Sequence, residues 1–289
     1  MERVSVIIPT RDRGAYVNDL LLDLHKQAVM PHEIIVVDQS VMPTELKGCI
    51  YITDNQTGPC HARNLGIMRA SGDILLFLDD DIRLEADFIQ KIVKSFESPS
   101  VHAVTFANCS PAGEYPFQTS YDYLNQDTDN WFKLLTANPN FPGKRCTLSF
   151  PAGCSAIRKT VVHEVGGFDT FFDPTGAGED REYGYRLFKM GYRVVYDGSP
   201  RILHLGAPMG GSRDLGSRRL NLDLNIGYAI GKHFNYFLFR SYKKTILSNY
   251  RLMVIKKLGR TSIKNYLWVS KRFREVERLH FVHKARRND

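Results

Sequence analysis

ASGDILLFLDDDI, residues 70 to 82, decides the fold. Its apolar run, Leu75 to Leu78, ends on three consecutive aspartates. A short apolar run bounded by turn residues predicts a buried strand of an α/β sheet, and such sheets bind ligands outside the carboxyl ends of their strands. Asp79, Asp80 and Asp81 are therefore expected at a binding crevice. Alternate residues of an extended chain share a face, so Asp79 and Asp81 should point the same way. Three adjacent carboxylates repel one another unless a positive charge sits among them, and a hard divalent cation with oxygen ligands is the simplest candidate. The plainer reading is a solvated acidic loop that caps a helix beginning near Ala86.

The segments on either side decide between these. Val4 to Pro9, Glu33 to Asp38, Ile50 to Thr53, Ile74 to Leu78 and Ala103 to Phe106 read as strands, and Tyr16 to Lys26, His61 to Ala70 and Ala86 to Phe96 as helices. This alternation predicts an α/β fold, with a Rossmann-like, mostly parallel central sheet flanked by helices. Residues 107–150, rich in Asn, Pro and aromatics, read as a long loop or lid. A helix is expected at Lys159 to Val165, a turn at Gly166 and Gly167, a helix at Arg181 to Met190 and a strand at Arg193 to Tyr196. Gly206 to Gly216 reads as a mobile connector, and from Arg218 onward the pattern is helical. The expected division is 1–107, 108–217 and a basic, mainly helical extension at 218–289.

The chain has 289 residues, enough for a full core, with 43% hydrophobic and 24% charged residues. No apolar stretch approaches the roughly 18 residues that span a bilayer, and no signal peptide is expected from Met1 and Glu2 onward. Cys49, Cys60, Cys109, Cys146 and Cys154 are odd in number and form no CxxC pair, which argues against a disulfide framework or a zinc site. A cytoplasmic location with reduced thiols is expected, at the inner face of the membrane if the tail binds lipid. From Lys232 to Asp289, 16 Lys and Arg stand against three Asp and Glu, a balance of +13 that leaves −5 for the rest of a +8 chain.

Three strand ends are expected in one register. The first carries Pro9, Thr10 and Arg11, the second Asp38, Gln39 and Ser40, and the fourth the aspartates. Asp38 can accept a hydrogen bond from a pyrimidine imide or a ribose hydroxyl, and Thr10 and Arg11 can meet base or phosphate. Equally, Asp38 and Ser40 are ordinary turn residues. GPCHARNLGI, residues 58 to 67, sets Arg63 and Asn64 in the first turns of a helix, where free amides and a forked guanidinium suit phosphate.

With VSVIIPTRDR, EIIVVDQS, GPCHARNLGI, GDILLFLDDDI, VGGFD, GAGEDREYGYRLFKMGYRVVYD and ILHLG in that order, the chain resembles the family 2 glycosyltransferases over residues 3 to about 206. The resemblance implies the glycosyltransferase-A fold and a nucleotide-sugar donor, with a lean toward UDP. It implies that the aspartate cluster binds Mn²⁺ or Mg²⁺, with Asp81 as direct ligand, Asp79 assisting and His204 completing the metal or diphosphate site. An imidazole in the set favours Mn²⁺. Pro9, Thr10, Arg11, Asp38, Arg63, Asn64, Asp79 and Asp80 are the implied donor contacts. Glu179 and Asp180 match the family's acidic pair, whose aspartate is the general base; Asp180 is also where a helix N-cap is expected. A base facing a metal-bound leaving group implies inversion at the anomeric carbon. Trp131, Tyr121, Tyr123 and Phe132 can stack on an acceptor sugar, or simply pack. The glycine-rich connector with Arg213, Arg218 and Arg219 can serve as a lid.

The basic tail mixes cations with Tyr236, Phe237, Phe239, Tyr250, Tyr266 and Trp268, a pattern suited to an anionic membrane surface presenting a saccharide or lipid-linked saccharide acceptor, or to a solvated face. The rival is a nucleic-acid or membrane binding module that acts through this tail, although no nucleic-acid partner is expected. A nucleotidyltransferase ranks last, because PTRDRG is a poor phosphate loop.

Overall fold

The computed structural model describes residues 2–43, 46–109, 143–148, 150–212, 218–255 and 260–282. The chain forms two compact units, Met1–Asp214 and Leu215–Asp289.

In the first unit the apolar runs pair as the sequence leads one to expect. The strands β1 (Val4–Thr10), β2 (Glu33–Asp38), β3 (Ile50–Thr53) and β4 (Ile74–Leu78) lie in the order β3-β2-β1-β4, all parallel. Both faces of this block are buried. Val4, Val6 and Ile8 join Leu76 and Leu78 against Val17, Leu20, Leu21 and Leu24 of α1 (Gly14–Leu24). The opposite face carries Ile7, Ile35, Val37, Leu75 and Phe77, all fully buried. Here α2 (Pro59–Arg69) approaches so closely that a Cβ on Gly66 would lie 2.4 Å from Ile7 Cγ2. Burial of each such side chain contributes about 1.5–3 kcal/mol. Strands covered on both sides read as unbroken apolar runs rather than alternating ones.

Beyond β4 the sheet continues through β8 (Cys154–Arg158), β6 (Ala103–Cys109) and β9 (Val194–His204) to β5 (Ile82–Leu84) at its edge, with β7 (Lys144–Thr147) also on β9. Six of the nine described strands run in one direction, and β5, β7 and β8 oppose them. Two features position the site. The chain leaves β4 in mid-sheet and, after three aspartates, re-enters as β5, with Ile82 opposite His204. And β9 runs through to His204 where the sequence suggests a strand ending at Tyr196, because the register with β6 shifts between Phe106 and Ala107 and absorbs Gly198, Ser199 and Pro200 as a bulge.

Three further helices cover this unit: α3 (Phe88–Ser95), α4 (Lys159–Val165) and α5 (Glu179–Lys189). The second unit consists of α6 (Arg218–His233), α7 (Tyr236–Ile255) and α8 (Arg260–Glu277), the last continued by a π turn at Arg278–Val282. Phe239 and Phe273 meet in its interior with ring centroids 6.1 Å apart. A Cβ on Gly227 would lie 2.4 Å from Phe273, so α6 needs glycine there. Among the described residues no helix is long and apolar enough to cross a membrane.

Candidate active site

The three aspartates bridge β4 to β5, and each faces different company. Asp79 takes a backbone bond from its own amide to Gly153 O, 3.2 Å, and its carboxylate fills the space where a Gly153 Cβ would stand, 2.1 Å from Asp79 Oδ2. Asp80 is buried; Thr10 Oγ1 donates to its Oδ2 at 2.8 Å and Arg13 Nη1 to its Oδ1 at 2.9 Å. Burial raises its pKa to about 6 against the opposing pull of Arg13 and Thr10. Asp81 is buried too, with Oδ1 3.2 Å from His204 Nε2 and Oδ2 accepting from Ala207 N at 2.7 Å. Burial would raise its pKa, but His204, the Ala207 amide and Arg13 outweigh that and bring it down to about 2.

The positive charge that the sequence assigned to a cation is largely supplied from within the chain. Arg13 lies against Asp80 and 3.5 Å from Asp81 Oδ2. Arg63, buried on the second turn of α2, reaches Asp79 Oδ1 at 3.2 Å and Glu179 Oε1 at 3.3 Å. Its Nε is buried without a hydrogen-bond partner among the described residues, and its guanidinium lies over the Phe168 ring, 5.5 Å from the centroid. Neither arginine can lose its proton at physiological pH. Repulsion among the aspartates thus does not by itself demand a metal.

Glu179 and Asp180 occupy the first turn of α5, which begins two residues before the expected Arg181. The N-cap is Gly178, left-handed with φ 95°, and not Asp180, whose Oδ1 instead accepts from Arg181 N at 2.9 Å. Burial and neighbouring Asp180 raise the pKa of Glu179 in spite of Arg63, since adjacent carboxylates in a shielded site do not both ionise cheaply.

The helix start of α2 is occupied by the protein itself. Cys60 N and His61 N donate to the two carboxylate oxygens of Asp173, each at 3.0 Å, and Gly58 has no side chain because Asp173 sits there. Asn64 spends both ends of its amide on the backbone of Phe168, at 2.8 Å each way. Asp38 is buried with Oδ1 accepting from Ser40 N at 2.8 Å and Oδ2 from Tyr51 OH at 2.6 Å. Pro9 is half-buried, and Arg11 Nη1 donates to Gly211 O at 3.3 Å.

The site is thereby drawn together from Thr10, Asp79, Asp80, Asp81, Arg63, Glu179 and His204, while Asn64 and Asp38 are turned to the protein's own groups. Arg13, Gly153, Asp173 and Ala207 escaped the sequence reading. Only Arg13 carried a signal, as a second arginine in TRDRG. Residues 206–212, read as a mobile connector, are pinned to the first strand's loop by Arg11 and Arg13. Trp131, Tyr121, Tyr123 and Phe132 lie outside the described residues, as do Arg213 and the side chains of Arg218 and Arg219. No three His, Cys, Asp or Glu side chains form a metal cage among the described residues. The Asp81–His204 pair, one carboxylate oxygen and one imidazole nitrogen facing each other, nevertheless suits a divalent ion whose other ligands come from a phosphate.

A parallel sheet whose carboxyl ends carry such a cluster, extended by antiparallel strands, defines the glycosyltransferase-A fold. Its likeness to the mannosyltransferase PcManGT from Pyrobaculum calidifontis, solved with GDP-Man and Mn²⁺, extends over 96% of this chain and 87% of that one at TM-score 0.54 and 15% identity. The chain belongs to glycosyl transferase family 2, whose model matches residues 5–166. It is 27% identical over 223 residues to the O-antigen biosynthesis protein RfbC of Myxococcus xanthus, covering 70% of this chain and 17% of that protein. It is 33% identical over 180 residues to the uncharacterized glycosyltransferase YwdF of Bacillus subtilis, covering 58% and 62%. The chain thus spans only part of these relatives' length.

Proposed function

We propose that the protein is an inverting, metal-dependent glycosyltransferase. In this reading it moves a sugar from a nucleotide-sugar donor, a UDP-sugar foremost, to a hydroxyl of a saccharide or lipid-linked saccharide in polysaccharide biosynthesis. The observation that carries it is Arg63, which joins Asp79 of the aspartate bridge to Glu179 of the acidic pair within 3.3 Å of each, so that a donor group and an acceptor group meet on one guanidinium. The name of the Myxococcus relative supports a polysaccharide acceptor.

Residues 1–107 hold the donor: Pro9, Thr10 and Arg11 at the end of β1 and Arg63 for the diphosphate, with Asp38 at the end of β2 meeting the donor only by exchanging a bond it now accepts from Ser40 or Tyr51. Asp81 and His204 hold Mn²⁺ or Mg²⁺, with Asp79 assisting, and Asp80 stays behind as their brace. The cation supplies positive charge to the departing diphosphate. Residues 108–217 bind the acceptor, and Asp180 takes the acceptor proton as the glycosidic bond forms. Asp180 Oδ1 accepts from Arg181 N at 2.9 Å, which orients the carboxylate at the start of α5. Gly178, left-handed at φ 95°, brings no side chain between the acceptor and this turn, whereas the Cβ position of Gly176, at φ 66°, is filled by Pro59 Cγ 2.6 Å away. Residues 232–289 add a peripheral contact with the inner leaflet, consistent with their charge.

Melting-shift screening against a panel of nucleotide sugars, with and without Mn²⁺ or Mg²⁺, tests the donor, since selective stabilisation identifies it. With that donor, Asp180→Asn and Asp81→Ala are expected to lower transfer at least about 100-fold with the fold retained. Full activity in both variants refutes the assignment.

A further inference from the structure

Arg13 engages each of its three guanidinium nitrogens. Nη1 donates to Asp80 Oδ1 at 2.9 Å and lies 3.5 Å from Asp81 Oδ2, Nε donates to Met209 O at 2.8 Å, and Nη2 to Gly210 O at 3.1 Å. The two carbonyls belong to a strap, residues 205–212, that follows directly on His204. The strap is fastened to Asp81 as well, through Leu205 N to Asp81 O at 2.8 Å and Ala207 N to Asp81 Oδ2 at 2.7 Å. With Oδ2 held by Ala207 and Arg13, Oδ1 is the oxygen left facing His204. Gly210 and Gly211 are left-handed, with φ 75° and 60°, and a Cβ on either would lie 2.9 Å from Arg13. The strap is shaped to this one guanidinium, and only glycine fits at both places.

We propose that Arg13 is the positioning residue of the Asp81–His204 pair, locking the strap onto the aspartates so that the two ligands face one cation. This rests on the reading of that pair as a divalent-cation site. Simple electrostatics points the other way: removing a positive charge beside two aspartates should tighten a cation, whereas removing a positioning group should loosen it. The sign of the change therefore distinguishes the two.

The test is Mn²⁺ titration of the full chain, followed by the electron paramagnetic resonance of free Mn²⁺, with melting temperatures recorded alongside. Arg13→Met is expected to weaken Mn²⁺ binding about 10- to 100-fold. Gly211→Ala should weaken it in the same direction, and should add little in the Arg13→Met background because both act through one contact. Arg13→Lys should not restore tight binding, since one ammonium cannot reach two carbonyls and a carboxylate with the geometry of a fork. Should Arg13→Met fail to fold, Arg13→Lys and Gly211→Ala carry the test. Binding by folded variants as tight as wild type, or tighter, overturns the inference alone. Absence of Mn²⁺ binding by the wild-type chain overturns the cation reading together with it.

Discussion

Two arginines, from different ends of the sequence's first motifs, set the charge of the site. Arg13 neutralises Asp80 and approaches Asp81, while Arg63 spans Asp79 and Glu179. At this scale the glycines are as decisive as the charges. Gly153 has no Cβ because the Asp79 carboxylate occupies that volume, with its three atoms 2.1–2.4 Å from where a Cβ would be. Gly153→Ala is therefore expected to rotate Asp79 away from Arg63 and lower kcat/KM about 100-fold, with the fold retained by circular dichroism. Unchanged kinetics would show that the Asp79 orientation is immaterial. Asp79, Asp81, Arg63, Glu179 and His204 were legible as residues because each stands at a strand end or helix start. Their partners were not: Gly153 lies in PAGCS with nothing to mark it, and Asp173 caps a helix 113 residues away, at Cys60. Such pairings depend on tertiary approach and leave no local pattern.

Among the elements, α2 is the frame on which the turn between α4 and α5 hangs. It grips that turn at Cys60 and His61 through Asp173, at Arg63 through Glu179, and at Asn64 through Phe168. Strand β9 shows a second kind of control. In its bulge, Asp197 is buried and accepts from Ser95 Oγ at 2.7 Å, Ser199 Oγ at 2.6 Å and Lys144 Nζ at 2.7 Å. Burial would raise its pKa, but Lys144, Ser199 and Ser95 outweigh that and lower it. A depressed folded value means that the stabilisation is present above the unfolded pKa of about 3.9 and is lost as pH falls through the folded value. Asp197→Asn is expected to cost about 1–3 kcal/mol at neutral pH. Urea unfolding should show the gap from wild type narrowing below about pH 4, and a gap constant with pH would sink the assignment. The parallel strands were legible because long apolar runs announce them. Strand β8 was not, since CSAIR is short and does not alternate, and β9 was cut short because Gly198, Ser199 and Pro200 interrupt its apolar pattern.

For the whole molecule, the charge is divided between the two compact units, and the net positive charge lies in the second. Its helix α8 exposes Ile263, Leu267 and Trp268 together with Lys264 and Lys271. Full-length protein is expected to co-sediment with vesicles containing phosphatidylserine and not with neutral ones, and to be released as salt is raised, each basic residue near the surface being worth about 1 kcal/mol. No binding to either would remove the membrane from the proposal, and equal binding to neutral vesicles would assign the contact to Ile263, Leu267 and Trp268 and not to the charge.

The passage from β4 to β5 has a further consequence. Leu78 and Ile82 are four residues apart and span at most about 14 Å, yet four strand spacings across a flat sheet come to about 19 Å. The sheet must curl for the aspartates to close the gap, the more so because their backbone bends at Asp80 and Asp81, and the bridge is moored at Gly153 and Leu205. A bridge this short and tied down at both ends leaves its carboxylates little freedom to surrender when an incoming molecule arrives, and a single inserted residue would forfeit that advantage while sparing every contact in the core.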